Sequence, residues 1–257
     1  MRGDILKKKL MVLCAVAIII STCLSGCKMN SGKIRFGSAG IGGTYQIFGD
    51  TFANLISSKS KKYNIEVKTT AGSAANLRLL SKDYIQMAVA QMDLINDAYN
   101  RTGIFENDKK YQGYRAVASL YTEACQIVVP ADSDIQSMDD LEGKKVCIGE
   151  EESGTEQNAL QILNAYGLNE RLVDTVNLNY TDAAKKLKSG DIDAFFCTAG
   201  VQTTVINELS KQCKIRLVSL DQKGVSRLKK SYKFYTEYTI PAGTYVNQTK
   251  EIKTVGV

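Results

Sequence analysis

Past residue 33, short apolar runs alternate with longer stretches in which apolar residues return every three or four positions. The runs read as strands, and the periodic stretches as amphipathic helices laid on them. In the first half the pattern predicts strands over residues 34–37, 65–70 and 85–90, separated by helices over 44–58 and 74–82. Tyr45, Phe48, Phe52, Leu55 and Ile56 fall at i, i+3, i+7, i+10 and i+11, which places all five on one helix face against a sheet. From Gln126 a second series follows, with strands at 127–129, 145–148, 173–178, 192–197 and 215–220. A short segment at 137–141 and helices at 155–166, 182–188 and 201–211 lie between them, and Gly167 and Gly190 stop two of these helices. Alternation of this kind predicts an α/β fold in two lobes. The crossings fall near 119–126 and 234–239, so lobe I is expected to comprise 33–122 and 236–257, and lobe II 123–235.

Ahead of this alternation the pattern is different. Arg2, Lys7, Lys8 and Lys9 precede an apolar run over 10–20, and Leu24, Ser25, Gly26 and Cys27 follow. The run is shorter than the roughly 20 residues a membrane span needs, and the polar stretch 28–32 succeeds it at once. This is the arrangement of a bacterial lipoprotein signal. Residues 1–26 are expected to be cleaved, Cys27 to carry the lipid, and 27–32 to tether the chain to the outer face of the cell membrane.

Composition narrows the chemistry. The formal charge is +6, and losing four cations and one anion with residues 1–26 leaves +3. No dense Lys/Arg stripe with interleaved aromatics appears, which excludes nucleic acid as the partner. The chain contains no His, so the commonest general base and every Ser/His or Cys/His nucleophile pair are missing. Beyond Cys27 the cysteines are Cys125, Cys147, Cys197 and Cys213, with no CxxC spacing among them. They do not form a metal motif; Cys147 and Cys197 lie in strand-like apolar runs where a buried thiol acts as a small hydrophobe, and a disulfide between unassigned partners stays open. No cofactor is implied.

Three loops each follow a strand and open a helix, where backbone N–H groups lack helical acceptors and favour anions. They are GIGGTY (40–45), TTAGSAANLRLL (69–80) and EESGTEQ (151–157). Taken singly, Ser73 and Thr155 read as helix caps. Recurrence of Gly and hydroxyl residues at three helix starts in one exported two-lobed chain instead suits a cleft that holds carboxylates. GIGGTY has Tyr45 where a dinucleotide fingerprint needs its third Gly, and 37–44 lacks the Lys of a phosphate loop. Asp191 and Asp193 read as a turn and a strand start, not as an acid/base pair. Arg78, at helical spacing, is expected on a solvated face, and Lys68 flanks the same loop.

Six ordered blocks carry a resemblance: GGTYQIFGDTFANLI, TTAGSAANLRLL, MAVAQMDLINDAYNRTGIF, YRAVASLY, DLEGKKVCIGEEESGT and GDIDAFFCTAGVQTTVI. From residue 34 to 257 the chain resembles the TAXI-type solute receptors of tripartite ATP-independent periplasmic (TRAP) transporters. The resemblance implies a type II periplasmic-binding-protein fold, two α/β lobes closing on a small carboxylated solute such as glutamate, glutamine or a dicarboxylate. It also implies delivery to a membrane permease driven by an ion gradient. Carried onto matching positions, the contacts are Gly43, Thr44, Tyr45, Ser73, Asn76, Gln91 and Asp93 from the first lobe. Ser153, Gly154, Thr155, Ala199, Gly200 and Gln202 come from the second, with Tyr121 covering the ligand from the crossing. Gln202 and Thr204 stand where the family has Pro, which implies a looser or more polar turn. The family continues past a strand resembling 252–257 with helices that complete the first lobe, so that lobe is expected to be truncated at its C-terminal side, with apolar sheet surface exposed. A ligand sensor or surface antigen shares this fold. An exported enzyme would have to draw on Asp93 and Ser153.

Overall fold

The computed structural model describes residues 32–109 and 111–257. The signal 1–26 and the lipidation site Cys27 lie outside the described residues.

Three parallel strands build the sheet of the first lobe, in the order β2-β1-β3, with β1 at Lys33–Gly37, β2 at Asn64–Lys68 and β3 at Met87–Ala88. Helices α1 (Thr44–Lys59), α2 (Ser73–Ser81) and α3 (Met92–Asn100) connect or follow these strands. On α1, Phe48 and Phe52 stack at 5.9 Å and both meet Phe36 of β1. Leu55 departs from the expected face, being 54% exposed. A second small core gathers Ala74, Leu77, Leu94, Ala98 and Phe105 between α2, α3 and the turn after α3.

The second lobe is built on β4 (Ala124–Pro130), β5 (Lys145–Gly149), β6 (Asp174–Asn177), β7 (Ala194–Ala199), β8 (Ile215–Leu217), β9 (Thr236–Ile240) and β10 (Ile252–Gly256). Its sheet runs β6-β5-β7-β4-β10-β9, with β8 sharing an edge of β4. Every residue of β7, and all of β4 but Pro130, is buried. Such continuous apolar runs are what strands covered on both faces require. α4 (Gly154–Ala165) and α7 (Gln222–Ser231) cover one face, where Ile162, Leu163, Val225 and Leu228 join a core with Ile127 and Phe196. α5 (Tyr180–Ser189) and α6 (Thr204–Gln212) cover the other with Leu187, Ile206 and Phe195.

Residues 236–257 correct the expected division of the chain. β9 and β10 pair antiparallel with each other, and Gly256 lies opposite Ala124 of β4, so the returning segment extends the second lobe's sheet and does not join β1–β3. Glu123 and Val257 exchange both backbone hydrogen bonds, at 2.9 and 3.0 Å. That pair sits at the crossing, beside the cleft. All four described cysteines are free thiols, three of them buried.

Candidate functional site

Between the lobes lies a small hollow of about 40 Å³. Gly43, Thr44 and Tyr45 at the start of α1 border it from the first lobe, with Ser73 and Gln91; Ser153, Gly154 and Thr155 at the start of α4 and Ala199 at the end of β7 border it from the second. The loops expected to converge on one crevice do so. At the start of a helix the first N–H groups have no acceptor within the helix, so those of α1 and α4 leave two positive dipole ends on the same hollow.

The third helix start behaves differently. The N–H groups of Ala74 and Ala75 donate to the carbonyl of Glu152 in the other lobe, at 3.2 and 3.3 Å. The terminus of α2 thus clamps the lobes together. Neither Ser73 nor Thr155 is a cap. Gly72 and Ser153 hold those positions, and the Ser153 hydroxyl accepts from the Glu156 N–H at 3.0 Å. Ser73 Oγ accepts from the Gln91 N–H, while Thr155 Oγ1 accepts from the Thr198 N–H and bonds Tyr180 Oη, which in turn donates to the Thr198 carbonyl. The two hydroxyls are tied into the walls.

Other expected site residues lie off the hollow. Asn76 is buried, and its amide donates to the carbonyls of Ser38 and Val89, bracing the loops after β1 and β3. Asp93 borders a separate groove with Gln157 and Gln161; its carboxylate accepts from the Leu94 N–H and from Asn158 Nδ2. Asp93 and Ser153 therefore do not face a common space. Gln202 has φ +59° and donates its N–H to Tyr245 Oη, in a turn whose left-handed backbone excludes the Pro of the family pattern. Gly200 is at the rim: a Cβ there would lie 3.6 Å from the Tyr121 ring and 3.7 Å from Thr44 Oγ1. Arg78 is not solvated as expected. It bridges Asp108 and Glu152 at 3.0 and 2.8 Å, across the seam, and Lys68 pairs with Glu66. Asp191 and Asp193 accept from Ser189 Oγ and the Lys145 N–H, respectively, as turn and strand-start residues do.

Sequence reasoning missed Glu123, Glu150, Asn179, Tyr180 and Thr198, all of which border the hollow. Glu123 is only 5% exposed. Its two carboxylate oxygens accept from Tyr45 Oη at 3.0 Å and Tyr121 Oη at 3.3 Å. Burial pushes its carboxyl up to about 7, against the hydrogen bonds that favour the ionised form. Burial likewise raises Glu150, with Asp182 nearby adding to the effect, and raises Asp93 to about 6. The only sequence signal for Glu123 was an isolated acid at the entry to a continuous apolar strand.

Several side chains join the lobes around the hollow. Asn158 of α4 donates to Asp93 at 3.2 Å and accepts from Gln91 Nε2 at 3.1 Å, and Thr181 Oγ1 donates to the Ile41 carbonyl at 3.2 Å. The lobes are shut on each other.

Two α/β lobes closing on a small polar hollow define the type II periplasmic-binding-protein fold. Over residues 36–257 the chain matches the NMT1-like family and belongs to it. Among solved structures it is similar to a protein from Bordetella bronchiseptica RB50, with a TM-score of 0.55 and 20% identity over 79% of this chain and 61% of that one. A holo ArgBP from T. maritima matches with a TM-score of 0.50 and 17% identity, covering 74% of this chain and 79% of that one. The periplasmic aliphatic sulphonate binding protein SsuA from Escherichia coli matches with a TM-score of 0.45 and 17% identity over 72% of this chain; the chain spans 56% of its length.

Proposed function

We propose that this protein is an extracytoplasmic solute-binding lipoprotein of the TAXI type, which captures a small carboxylated solute and hands it to a TRAP permease. The observation that carries the reading is the meeting of the α1 and α4 starts, one from each lobe, on a single hollow. Backbone amides at the two helix ends supply donors for a carboxylate. Closure excludes water, so these donors act in a medium of lower dielectric and the closed shape becomes what a permease reads. The six ordered sequence blocks support the transporter type. The basic, apolar and Cys27 pattern at the start of the chain supports anchoring by lipid at the outer face of the membrane. Gly43, Thr44, Tyr45, Gln91, Ser153, Gly154 and Ala199 are the proposed ligand contacts, with Tyr121 and Gly200 at the rim.

Thermal shift and calorimetry with glutamate, glutamine, 2-oxoglutarate and C4-dicarboxylates test the solute class. A true ligand at 100 times its dissociation constant adds roughly 2.7 kcal/mol of stability. If a folded sample responds to none of them, the class is wrong.

A further inference from the structure

We infer that the pole of the first lobe where the chain enters β1 docks on an anionic lipid surface, so that the receptor stands on this lobe with its hollow turned away from the bilayer. The inference rests on the proposed reading of Cys27 as the lipid anchor. Lys33 follows Cys27 by six residues, and a fully extended chain of that length reaches only about 20 Å. The surface around Lys33 is therefore held at high local concentration against the headgroups. β1, β2 and β3 run parallel, so the loops leaving their far ends reach the hollow while their near ends share one pole with the tether. The Asn64 N–H donates to the Gly32 carbonyl, which places residues 61–63 beside the point of entry.

This pole is basic. Lys59 ends α1, Lys61 and Lys62 precede β2, and Lys82 follows α2; all four are exposed, and none pairs with an acid among the described residues. The acids on these strand starts and helix ends are Asp83 and Glu66, and Glu66 is already neutralised by Lys33 and Lys68. Tyr63 and Tyr84 stand among the lysines, 44% and 58% exposed, with the Lys62 ammonium 5.3 Å from the centre of the Tyr63 ring. Tyrosine rings flanked by lysines suit the boundary between headgroups and water. At the opposite ends of the strands the charge is reversed, since Glu123 and Glu150 border the hollow and no Lys or Arg does among the described residues. Each lysine brought to an anionic surface raises the docked population about fivefold. Four of them fall short of holding a free chain on a bilayer but fix the orientation of one already tethered. Capture takes place in this pose, and hand-over to a permease follows undocking.

The test uses the lipid-bearing chain reconstituted into vesicles, one set of phosphatidylcholine and one of equal parts phosphatidylcholine and phosphatidylglycerol. A water-soluble amine-acetylating reagent is added, and modification is read lysine by lysine by mass spectrometry. Lys59, Lys61, Lys62 and Lys82 are expected to react about fivefold more slowly on the mixed vesicles at low salt, with the protection fading at high salt. Lys185 and Lys211 of the second lobe, 72% and 59% exposed, should react alike on both. Charge reversal by Lys61→Glu with Lys62→Glu is expected to remove the protection of Lys59 and Lys82. Equal rates on the two compositions overturn the docking, and so does protection shared to the same degree by Lys185 and Lys211. A chain whose mass lacks the lipid overturns the anchor reading instead. Residues 27–257, coupled through Cys27 to a maleimide lipid in a Cys213→Ser background, then give the same comparison, so the docking is decided whichever way the anchor reading falls.

Discussion

Glu123 is acidic, buried and faced by Tyr45, Tyr121 and the carboxyl of Asp93, and this sets a definite pH dependence. Its folded value of about 7 lies above the ordinary 4.5, so between these values the unfolded chain gives up a proton that the folded chain keeps. Stability therefore falls as pH rises from about 4.5 to 7, and the full cost is present above 7. Asp93 acts in the same direction between 3.8 and about 6. Glu123→Gln removes the larger cost, and the variant should gain on the wild type by something on the order of 3 kcal/mol at pH 8 and little at pH 4.5. Urea unfolding at the two pH values checks this; an equal gap at both would contradict it. At Gly154 a Cβ would overlap the amide end of the Gln91 side chain, which would have to swing away and give up its bond to Asn158 across the seam. Gly154→Ala is expected to weaken closure by the loss of that one bond, about 1 kcal/mol in urea unfolding.

Among the elements, α4 begins with a hydroxyl cap of the ordinary kind, Ser153 accepting from Glu156. Ser153→Ala should cost about 1 kcal/mol in chemical denaturation. This helix and α1, β1, β5 and β7 were legible along the chain because period and punctuation agreed. Elsewhere one of the two was missing. α3 starts a few residues after its strand with no Gly or Pro between, and its N-cap residue Gln91 makes no side-chain capping bond. α7 is polar over most of its length, and Val225 and Leu228, its two apolar side chains, turn inward. β9 contributes a single fully buried residue, Ile240, so no apolar run announces it. The strand at β3 is two residues long although the pattern predicts one over 85–90, because pairing with Phe36 and Gly37 ends where β1 ends.

At the scale of the whole molecule, closure depends on a polar seam. Asn158 is its centre, touching Asp93, Gln91 and Tyr235, with Arg78 and the α2 terminus gripping Glu152 farther along. Asn158→Ala strips Asp93 of its side-chain donor and should cost about 2 kcal/mol or more, since a buried acceptor loses its partner. A double-mutant cycle of Arg78 with Glu152 should give a smaller coupling, about 0.5 kcal/mol, because Glu152 is 44% exposed. Coupling near zero at high salt and measurable coupling at low salt would be the signature.

What the chain alone determined is what local rules govern. Alternating periods set the α/β order, and Gly beside hydroxyl residues marked helix starts. The missing His removed the usual hydrolytic pairs. Tertiary structure decided how those parts are used: α1 and α4 present their free ends to one hollow, α2 spends its end on Glu152, and β10 returns to β4 across more than a hundred residues of chain. It also buried Glu123 where a carboxylate-binding pattern gave no hint of an acid. Propensity and capping act over a few neighbouring residues, whereas burial, pairing and charge state depend on which distant surfaces meet.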